Sequence, residues 1–535
     1  MSMESHTEYR PDQVPEDGVA DPRQRRAILW AMCIALMGVV ASVSGLNVAT
    51  QELAVEFGAS QSDVLWIING YTIALAALLL PIGAIGDRYG RKKVLMVGLV
   101  VFALANVAAA FSTSVAMLIA LRVTAGVGAA MIMPVTLSVI TSSFPAGDRD
   151  RAVGVWAGVA GGGAILGLFV SSAVVDYLSW PLVFALPVVL AAVSLVMTIR
   201  FVPHSSEHQV GRFDVVGSVL SALALGMLVL GIHEGPEVGW TATVTLVGLV
   251  VGIASAIGFV LWELRQEHPL LDVRVFGNRM LGSGSTALLV TFAIMMGLFL
   301  VLVQYLQVVL GFSALKAAAG LLPMAAVMMP LSAIAPLISR RVGTRAMFVA
   351  GSGLIAGGLA TMATMASVES GYMSILPGLL VLGSGVGVVM TPGTTAITAS
   401  LPQEEQGVAS ALNDTVREFG GAIGIALLGS VMAAGYSASV SDATTGLPEE
   451  AATAVEEGIG GAVVVAGQLG PDGVAVMQAA RAAFIDGWQL SMWISAGLAL
   501  SVAVLCAVWT PARGSETEAA TTMEAEGSAE PVPVA

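Results

Sequence analysis

The sequence predicts an all-α polytopic membrane protein with fourteen transmembrane helices. Hydrophobic residues make up 56% of the 535-residue chain and charged residues 11%, whereas soluble proteins carry about 25% charged residues. A window of about 20 residues, the length that crosses the hydrocarbon, finds fourteen apolar spans. Their centres lie near Gly38, Ala76, Leu104, Ala125, Ala164, Leu190, Gly226, Gly252, Ala293, Val327, Gly357, Gly383, Leu427 and Leu498.

Basic residues in the loops indicate the orientation. They precede the first span and follow the second, fourth, sixth and tenth, whereas the alternate loops hold almost none, with Lys316 and Arg481 as the exceptions. The positive-inside rule therefore predicts that both termini lie in the cytoplasm, on the inner side of the cytoplasmic membrane. The residues concerned are Arg23, Arg25, Arg26, Arg88, Arg91, Lys92, Lys93, Arg149, Arg151, Arg200, Arg212, Arg340, Arg341 and Arg345.

An internal repeat connects the two halves of the chain. The segment "GAIGDRYGRKKVLMVG" (83–98) aligns without gaps onto "PLISRRVGTRAMFVAG" (336–351). Coincidence is the alternative, since many cytoplasmic loops contain arginine and glycine. A true repeat predicts two helix bundles that face each other, an arrangement found in many transporters. The alignment pairs Arg88 with Arg341, Gly90 with Gly343 and Gly98 with Gly351.

The first of these loops has chemistry of its own. Gly83 and Gly90 permit a close helix approach and a sharp turn, and Asp87 can bind the N-terminus of a neighbouring helix or an arginine. Arg88 and Arg91 can bind lipid headgroups or acidic residues.

Several motifs resemble those of the major facilitator superfamily. "GAIGDRYGRKK" (83–93) looks like the family's loop motif between the second and third spans, and "LIALRVTAGVGAA" (118–130) is similar to its fourth-helix motif. The two extra central spans, with "YLQVVLGFSAL" (305–315), "GVASALNDTVREFGGAIG" (407–424) and "AAFIDGW" (482–488), resemble the fourteen-helix drug/proton antiporter branch, the multidrug efflux type.

The resemblance implies the major facilitator fold, with two six-helix bundles and two inserted central helices. The implied organisation is a disordered cytoplasmic tail (1–27), an N-terminal bundle (28–202), two linker helices (213–265), a C-terminal bundle (280–510) with a long extracellular loop at about 437–485, and a second disordered cytoplasmic tail (511–535).

The chain departs from the family pattern at the residues that usually couple transport to protons. The first-helix aspartate of the family aligns with Ser42 when Asn47 is placed on the family's pattern. The fifth-helix Gly-Pro motif aligns to "GLFVSS" (167–172), where Leu168 replaces the proline. These differences place coupling through the usual first-helix carboxylate in question.

Two groups of charged residues remain within the spans. Arg122 is expensive to bury in the membrane, so we expect either a role in transport or hydrogen bonds to backbone carbonyls. Asp414, Arg417 and Glu418 lie on one helical face. They either form a salt bridge at the headgroup level with basic loop residues such as Arg340 or Arg341, or they face the cavity and one carboxylate binds the proton.

Other polar residues are candidates for contact with cargo in the cavity. The sequence suggests Ser42, Asn47, Gln304, Tyr305 and Gln307, although Gln307 can equally join two helices. A lining rich in methionine would suit varied apolar ligands.

These features predict a secondary-active exporter of hydrophobic or amphiphilic small molecules, which exchanges them for protons. No nucleotide-binding motif or metal-ligand spacing is present in the sequence, so we expect neither an enzyme nor a cofactor. The expected partners are the cargo, protons and the lipid bilayer, without nucleic acid, and the protein is expected to be a monomer. The alternatives are an uncoupled facilitator or lipid transporter, or a non-transporting sensor or scaffold.

Overall fold

The computed structural model describes residues 18–203, 213–445 and 447–512. Fourteen helices in this part of the chain are long and apolar enough to cross a membrane, and each contains one of the predicted centres. The first half consists of α1 (Pro22–Leu46), the short α2 (Thr50–Phe57), α3 (Gln61–Tyr89), α4 (Arg91–Ala110), α5 (Val115–Ser143), α6 (Ala146–Tyr177) and α7 (Ala185–Phe201).

The inserted pair and the second half follow. They consist of α8 (Val215–Val238), α9 (Thr243–Glu263), α10 (Arg279–Gln304), α11 (Ala314–Val342), α12 (Thr344–Met365), α13 (Leu376–Thr398), α14 (Gln406–Val440), the short α15 (Glu449–Glu457) and α16 (Ile459–Leu469), and α17 (Gly473–Trp509). A π-helical turn, Tyr305–Val309, extends α10. The predicted all-α architecture is confirmed, since every regular element in the described ranges is helical.

Two predicted segments differ from the structure at their edges. Helix α1 begins at Pro22, inside the segment predicted as a tail, because the side chain of Asp21 caps its first turn. The segment predicted as a long outer loop, at about 437–485, is largely helical, since it holds α15, α16 and the start of α17. Residues 1–17, 513–535 and Arg212, which those predictions also covered, lie outside the described residues.

The helices form two bundles that meet along one seam. Helices α1 and α3 to α7 pack against one another, as do α10 to α14 with α17. Across the seam α3 and α5 pack on α14, and α6 packs on α11 and α13. The inserted pair α8 and α9 packs together, and α8 covers the place where α3 meets α14. The predicted pair of bundles with two inserted helices is therefore confirmed.

The internal repeat has the same backbone geometry in both halves. Gly90 joins α3 to α4 with a φ of 105°, and Gly343 joins α11 to α12 with a φ of 86°. Because residues with a side chain rarely adopt positive φ, glycine permits the chain to leave one membrane helix and enter the next at once. The aligned arginines and glycines therefore occupy equivalent positions in the two bundles.

Candidate functional site

A buried carboxylate joins the two bundles at one end of the seam. Asp87 on α3 accepts hydrogen bonds from the backbone N–H groups of Gly407 (2.8 and 2.9 Å) and Val408 (3.1 Å) at the start of α14. Arg91 donates to the same carboxylate from Nε (2.9 Å) and Nη2 (2.8 Å), and to the carbonyl of Gln403 (3.2 Å). We call Asp87, Arg91, Gln403 and Gly407 the latch.

The latch agrees with the chemistry that the sequence suggested for Asp87. The N-terminus of a helix carries partial positive charge and free N–H groups, so the carboxylate satisfies α14 as well as Arg91. Both charged side chains are buried, with 1% of each residue exposed. A latch of this kind stabilises the conformation in which the bundles touch at this end, which we call the latch end.

Glycines permit the bundles to approach closely at the latch. A β-carbon on Gly83 would lie 2.5 Å from the carbonyl oxygen of Gly407. The predicted close approach at Gly83 is therefore present. Tyr89 and Arg88 lie beside it, with the Arg88 guanidinium 5.9 Å from the ring centre of Tyr89.

The equivalent place in the second half holds a weaker contact. Arg340 on α11 forms an ion pair of 3.3 Å with Asp150 near the start of α6, and donates to the carbonyl of Gly147. Because both side chains are partly exposed, at 52% and 34%, solvent screens this pair. The repeat thus places the buried latch and the partly exposed Arg340–Asp150 ion pair at the same end of the seam.

The charged turn of α14 lies deeper along the seam. Asp414 is eight residues beyond the first residue of α14, which places it ~12 Å along the helix axis. Its Oδ1 accepts from Nη1 of Arg417 at 3.2 Å and from the side chain of Asn413 at 3.2 Å. Asp414 is 0% exposed and Arg417 is 4% exposed, so the pair is buried.

Aromatic rings from both bundles surround Arg417. Its guanidinium carbon lies 4.6 Å from the ring centre of Phe292 on α10 and 5.3 Å from that of Trp156 on α6. Cation–π attraction stabilises an arginine in this arrangement. The Asp414–Arg417 pair thus contacts the seam instead of the membrane surface.

Glu418 is the second carboxylate of this turn. It is half-buried, and it lies close enough to Tyr71 on α3 and to Arg417 for electrostatic interaction with both. Since α3 and α14 belong to different bundles, the environment of Glu418 changes when the bundles separate. The predicted face of Asp414, Arg417 and Glu418 is present, and Glu418 lies towards the N-terminal bundle.

The small residues beside this turn bring α14 against α10. A β-carbon on Gly420 would collide with the carbonyl oxygen of Leu289, and one on Gly424 with that of Ala293. The predicted Gly-x-x-x-Gly contact is therefore confirmed, and it fixes the height of the charged turn in the C-terminal bundle.

Arg122 lies inside the N-terminal bundle. Its Nη1 donates to the hydroxyl of Ser42 at 3.0 Å and its Nε to the carbonyl of Ile67 at 3.2 Å. The guanidinium carbon lies 4.3 Å from the ring centre of Tyr71, and Ser42 in turn donates to Asn106 at 3.2 Å. Arg122 is 1% exposed, so it is enclosed in this conformation. Its hydrogen bond to the carbonyl of Ile67 is the kind of contact expected under the second alternative, hydrogen bonding to the backbone.

The remaining candidates for contact with cargo lie apart from this site. Asn47 is exposed at the end of α1, and Gln304 and Gln307 are exposed near the end of α10. Tyr305 is buried and stacks on Trp488 with 4.9 Å between the ring centres. The interpretation of Tyr305 as a cavity residue therefore does not fit this conformation, in which its ring packs in the C-terminal bundle.

Sequence reasoning missed several residues that complete the site. Tyr71 packs against Arg122, Asn106 accepts a hydrogen bond from Ser42, and Trp156 and Phe292 pack against Arg417. Asn106 was the residue most open to prediction, because an amide in an apolar span needs a hydrogen-bond partner. Aromatic residues are common in apolar spans, so the other three gave no comparable signal.

A model of the Major Facilitator Superfamily matches residues 31–425, which is more than half of the chain. The chain belongs to the major facilitator superfamily. Solved transporters of this fold agree, although at low sequence identity. The alignment with a bacterial homolog of the human lysosomal transporter Spinster covers 92% of this chain and 100% of the homolog, with a TM-score of 0.58 and 17% identity. A POT family transporter in complex with 5-aminolevulinic acid covers 93% and 98%, with a TM-score of 0.60 and 12% identity.

Curated relatives within the superfamily are named for export and resistance. The multidrug efflux pump LfrA of Mycolicibacterium smegmatis is 33% identical over 490 residues, which is 91% of this chain and 96% of that protein. The tetracenomycin C resistance and export protein of Streptomyces glaucescens is 31% identical over 95% of this chain and 96% of its own. The cephamycin export protein CmcT of Amycolatopsis lactamdurans is 33% identical over 77% and 85%.

Proposed function

We propose that this protein is a secondary-active exporter of hydrophobic or amphiphilic small molecules, which exchanges them for protons by alternating access. The names of the relatives support the export of such compounds. The observation that carries the coupling is the charged turn of α14, where Asp414, Arg417 and Glu418 lie along the seam between the bundles.

A proton-coupling carboxylate must change its environment during the cycle. Asp414 is paired with Arg417, and Glu418 is close enough to Tyr71 of the other bundle for electrostatic interaction. When the bundles part along the seam, water reaches the turn, Arg417 loses its contact with Trp156 and Glu418 loses its interaction with Tyr71. A lone carboxylate in a membrane is costly in its charged form, so protonation and bundle movement are linked.

The latch sets one limit of the cycle. While Asp87 holds α14 and Arg91, the bundles touch at the latch end. Cargo then has access from the opposite side only. The basic residues around the latch favour a cytoplasmic position for this end in the cell membrane, with both termini on the same side.

The test is the efflux of ethidium, a lipophilic cation, from bacterial cells that express the protein, with and without a protonophore. We expect efflux in the wild type, its loss with the protonophore, and its loss in Asp414→Asn or Glu418→Gln. Asp176→Asn is the matched control, because Asp176 is an exposed carboxylate at the end of α6 and its loss leaves efflux unchanged.

Three outcomes would contradict parts of this proposal. Efflux that persists with the protonophore would point to an uncoupled facilitator. The presence of Ser42 in place of the usual first-helix aspartate favours this alternative. Protonophore-sensitive efflux that survives both α14 variants would remove the coupling role of this turn. Absence of transport for ethidium and for anionic and neutral amphiphiles, with the protein present in the membrane, would refute the exporter.

A further inference from the structure

Three arginines are almost fully buried in the described part of the molecule, and one of them differs from the others. Arg91 pairs with Asp87 at 2.8 Å, and Arg417 pairs with Asp414 at 3.2 Å. Arg122, with 1% exposed, has neutral partners in the structure, namely Ser42, the carbonyl of Ile67 and the ring of Tyr71. It forms no ion pair with any carboxylate in the described residues.

The donors of Arg122 are also incompletely used. Its Nη2 is buried and has no hydrogen-bond partner among the described residues, as is also true of Nη1 of Arg91 and Nε of Arg417. Those two arginines have a carboxylate partner, whereas Arg122 has none in the described part of the chain. A guanidinium has five N–H donors, and a buried donor without an acceptor is unfavourable. A buried charge without a partner is more unfavourable still. The N-terminal bundle therefore holds a cation that needs an anion.

The residue at position 42 suits an anion from outside the chain. A carboxylate there would supply the negative charge itself, whereas Ser42 supplies only a hydroxyl. The hydroxyl now donates to Asn106, but it can rotate and donate to an anion held by Arg122. An arginine donor beside a hydroxyl donor, within an enclosed site, is chemistry that binds a small anion or a carboxylate group.

We propose that Arg122 and Ser42 form an anion-binding site in the N-terminal bundle, which takes chloride or the carboxylate group of an amphiphilic cargo. The anion supplies the negative charge that the chain lacks at position 42. The role in transport rests on the proposed export function, because the bound anion neutralises Arg122 when the bundles separate and water-filled space opens beside it.

The first test measures binding without transport. The purified full-length protein is unfolded by heat in sodium gluconate, sodium chloride, or sodium gluconate with 2-naphthoate, all at one ionic strength. Gluconate is the reference because burying its many hydroxyl groups in an apolar bundle would remove their hydration. We expect chloride or 2-naphthoate to raise the unfolding midpoint of the wild type by about 2 °C or more.

Two matched variants identify the site. Ser42→Asp supplies the carboxylate within the chain, so the difference between the anions disappears. Ser42→Asn introduces a side chain of nearly the same size as aspartate but without its charge, so the difference between the anions remains. Arg122→Gln removes the cation and is also expected to lose the effect. If Arg122→Gln does not fold, the comparison of Ser42→Asp with Ser42→Asn still decides the question.

The pattern of shifts identifies the source of the anion. A shift with chloride alone indicates an inorganic anion, and a shift with 2-naphthoate alone indicates the carboxylate of cargo. No shift in the wild type, or an equal shift in Ser42→Asp, overturns the proposal. Efflux is measured separately, so a protein that shows the shift without efflux refutes the export function and leaves the anion site intact.

Discussion

The close approach of Gly83 to Gly407 predicts that one methyl group will open the latch end. In Gly83→Ala the added β-carbon would lie 2.5 Å from the carbonyl oxygen of Gly407 and 2.8 Å from the β-carbon of Ala411. Both contacts cross the seam between α3 and α14. The collision therefore exists only while the bundles touch, and it is absent when they separate.

The size of the effect follows from the cost of overpacking. Forcing an extra methyl group into a close contact costs about 1–3 kcal/mol, and this cost applies to the closed conformation alone. The ratio of open to closed molecules should therefore rise about 5- to 150-fold. Alanine also favours the helix over glycine by about 1 kcal/mol, but that gain is equal in both conformations.

A single cysteine reports the opening. Ser410 is 0% exposed on α14, one turn beyond Gly407, and Ser410→Cys is nearly isosteric. The native cysteines Cys33 and Cys506 are replaced by alanine. The rate at which a maleimide reagent modifies Cys at position 410 follows the open population, so Gly83→Ala should raise it 5- to 150-fold, as about 1–3 kcal/mol requires.

Gly86→Ala is the matched control for this experiment. A β-carbon on Gly86 would lie 3.4 Å from the Val135 side chain within the same bundle, which is an ordinary contact. This variant has the same gain in helix propensity without the collision across the seam. Equal labelling rates in Gly83→Ala, Gly86→Ala and the wild type would refute the argument that glycine contact closes the latch end.

Two further predictions concern α14. Asp414→Asn should lower the stability of the folded protein by about 3 kcal/mol, because it leaves Arg417 buried without its nearest carboxylate. The double variant Asp414→Asn/Arg417→Gln should recover part of that loss. A thermal unfolding midpoint lower in the double variant than in the single variant would contradict this. Gly424→Ala should destabilise the protein by about 1–3 kcal/mol or more because its β-carbon collides with the carbonyl of Ala293, whereas Gly429→Ala, whose nearest contact is 3.6 Å, should unfold at the wild-type temperature.

The sequence predicted the fold well where the signal is local. The length of an apolar run decides whether a helix crosses the membrane, so all fourteen spans were found. The glycines of the repeat were equally informative, because positive φ at Gly90 and Gly343 is a property of single residues. The helical segment before α17 was missed, because its many glycines and acidic residues are typical of loops.

The site was less predictable because it depends on contacts between distant parts of the chain. The stack of Tyr305 on Trp488 joins residues that are far apart in the sequence, at the end of α10 and in α17, and no local pattern indicates it. Asp414 and Arg417 were recognised as a pair from their spacing, whereas the two aromatic rings around Arg417 come from α6 and α10. Pair spacing is a local property, but the surroundings of a pair are not.

The charges in the middle of the two bundles connect the two proposals. Arg122 gives the N-terminal bundle one positive charge, while Asp414, Glu418 and Arg417 together give α14 one net negative charge. With the bundles in contact, Tyr71 lies near both Arg122 and Glu418. Separation leaves an unpaired charge in the middle of each bundle, which is costly in a membrane. A proton on Glu418 neutralises one bundle and an anion on Arg122 neutralises the other, so both proposed ligands favour the same movement.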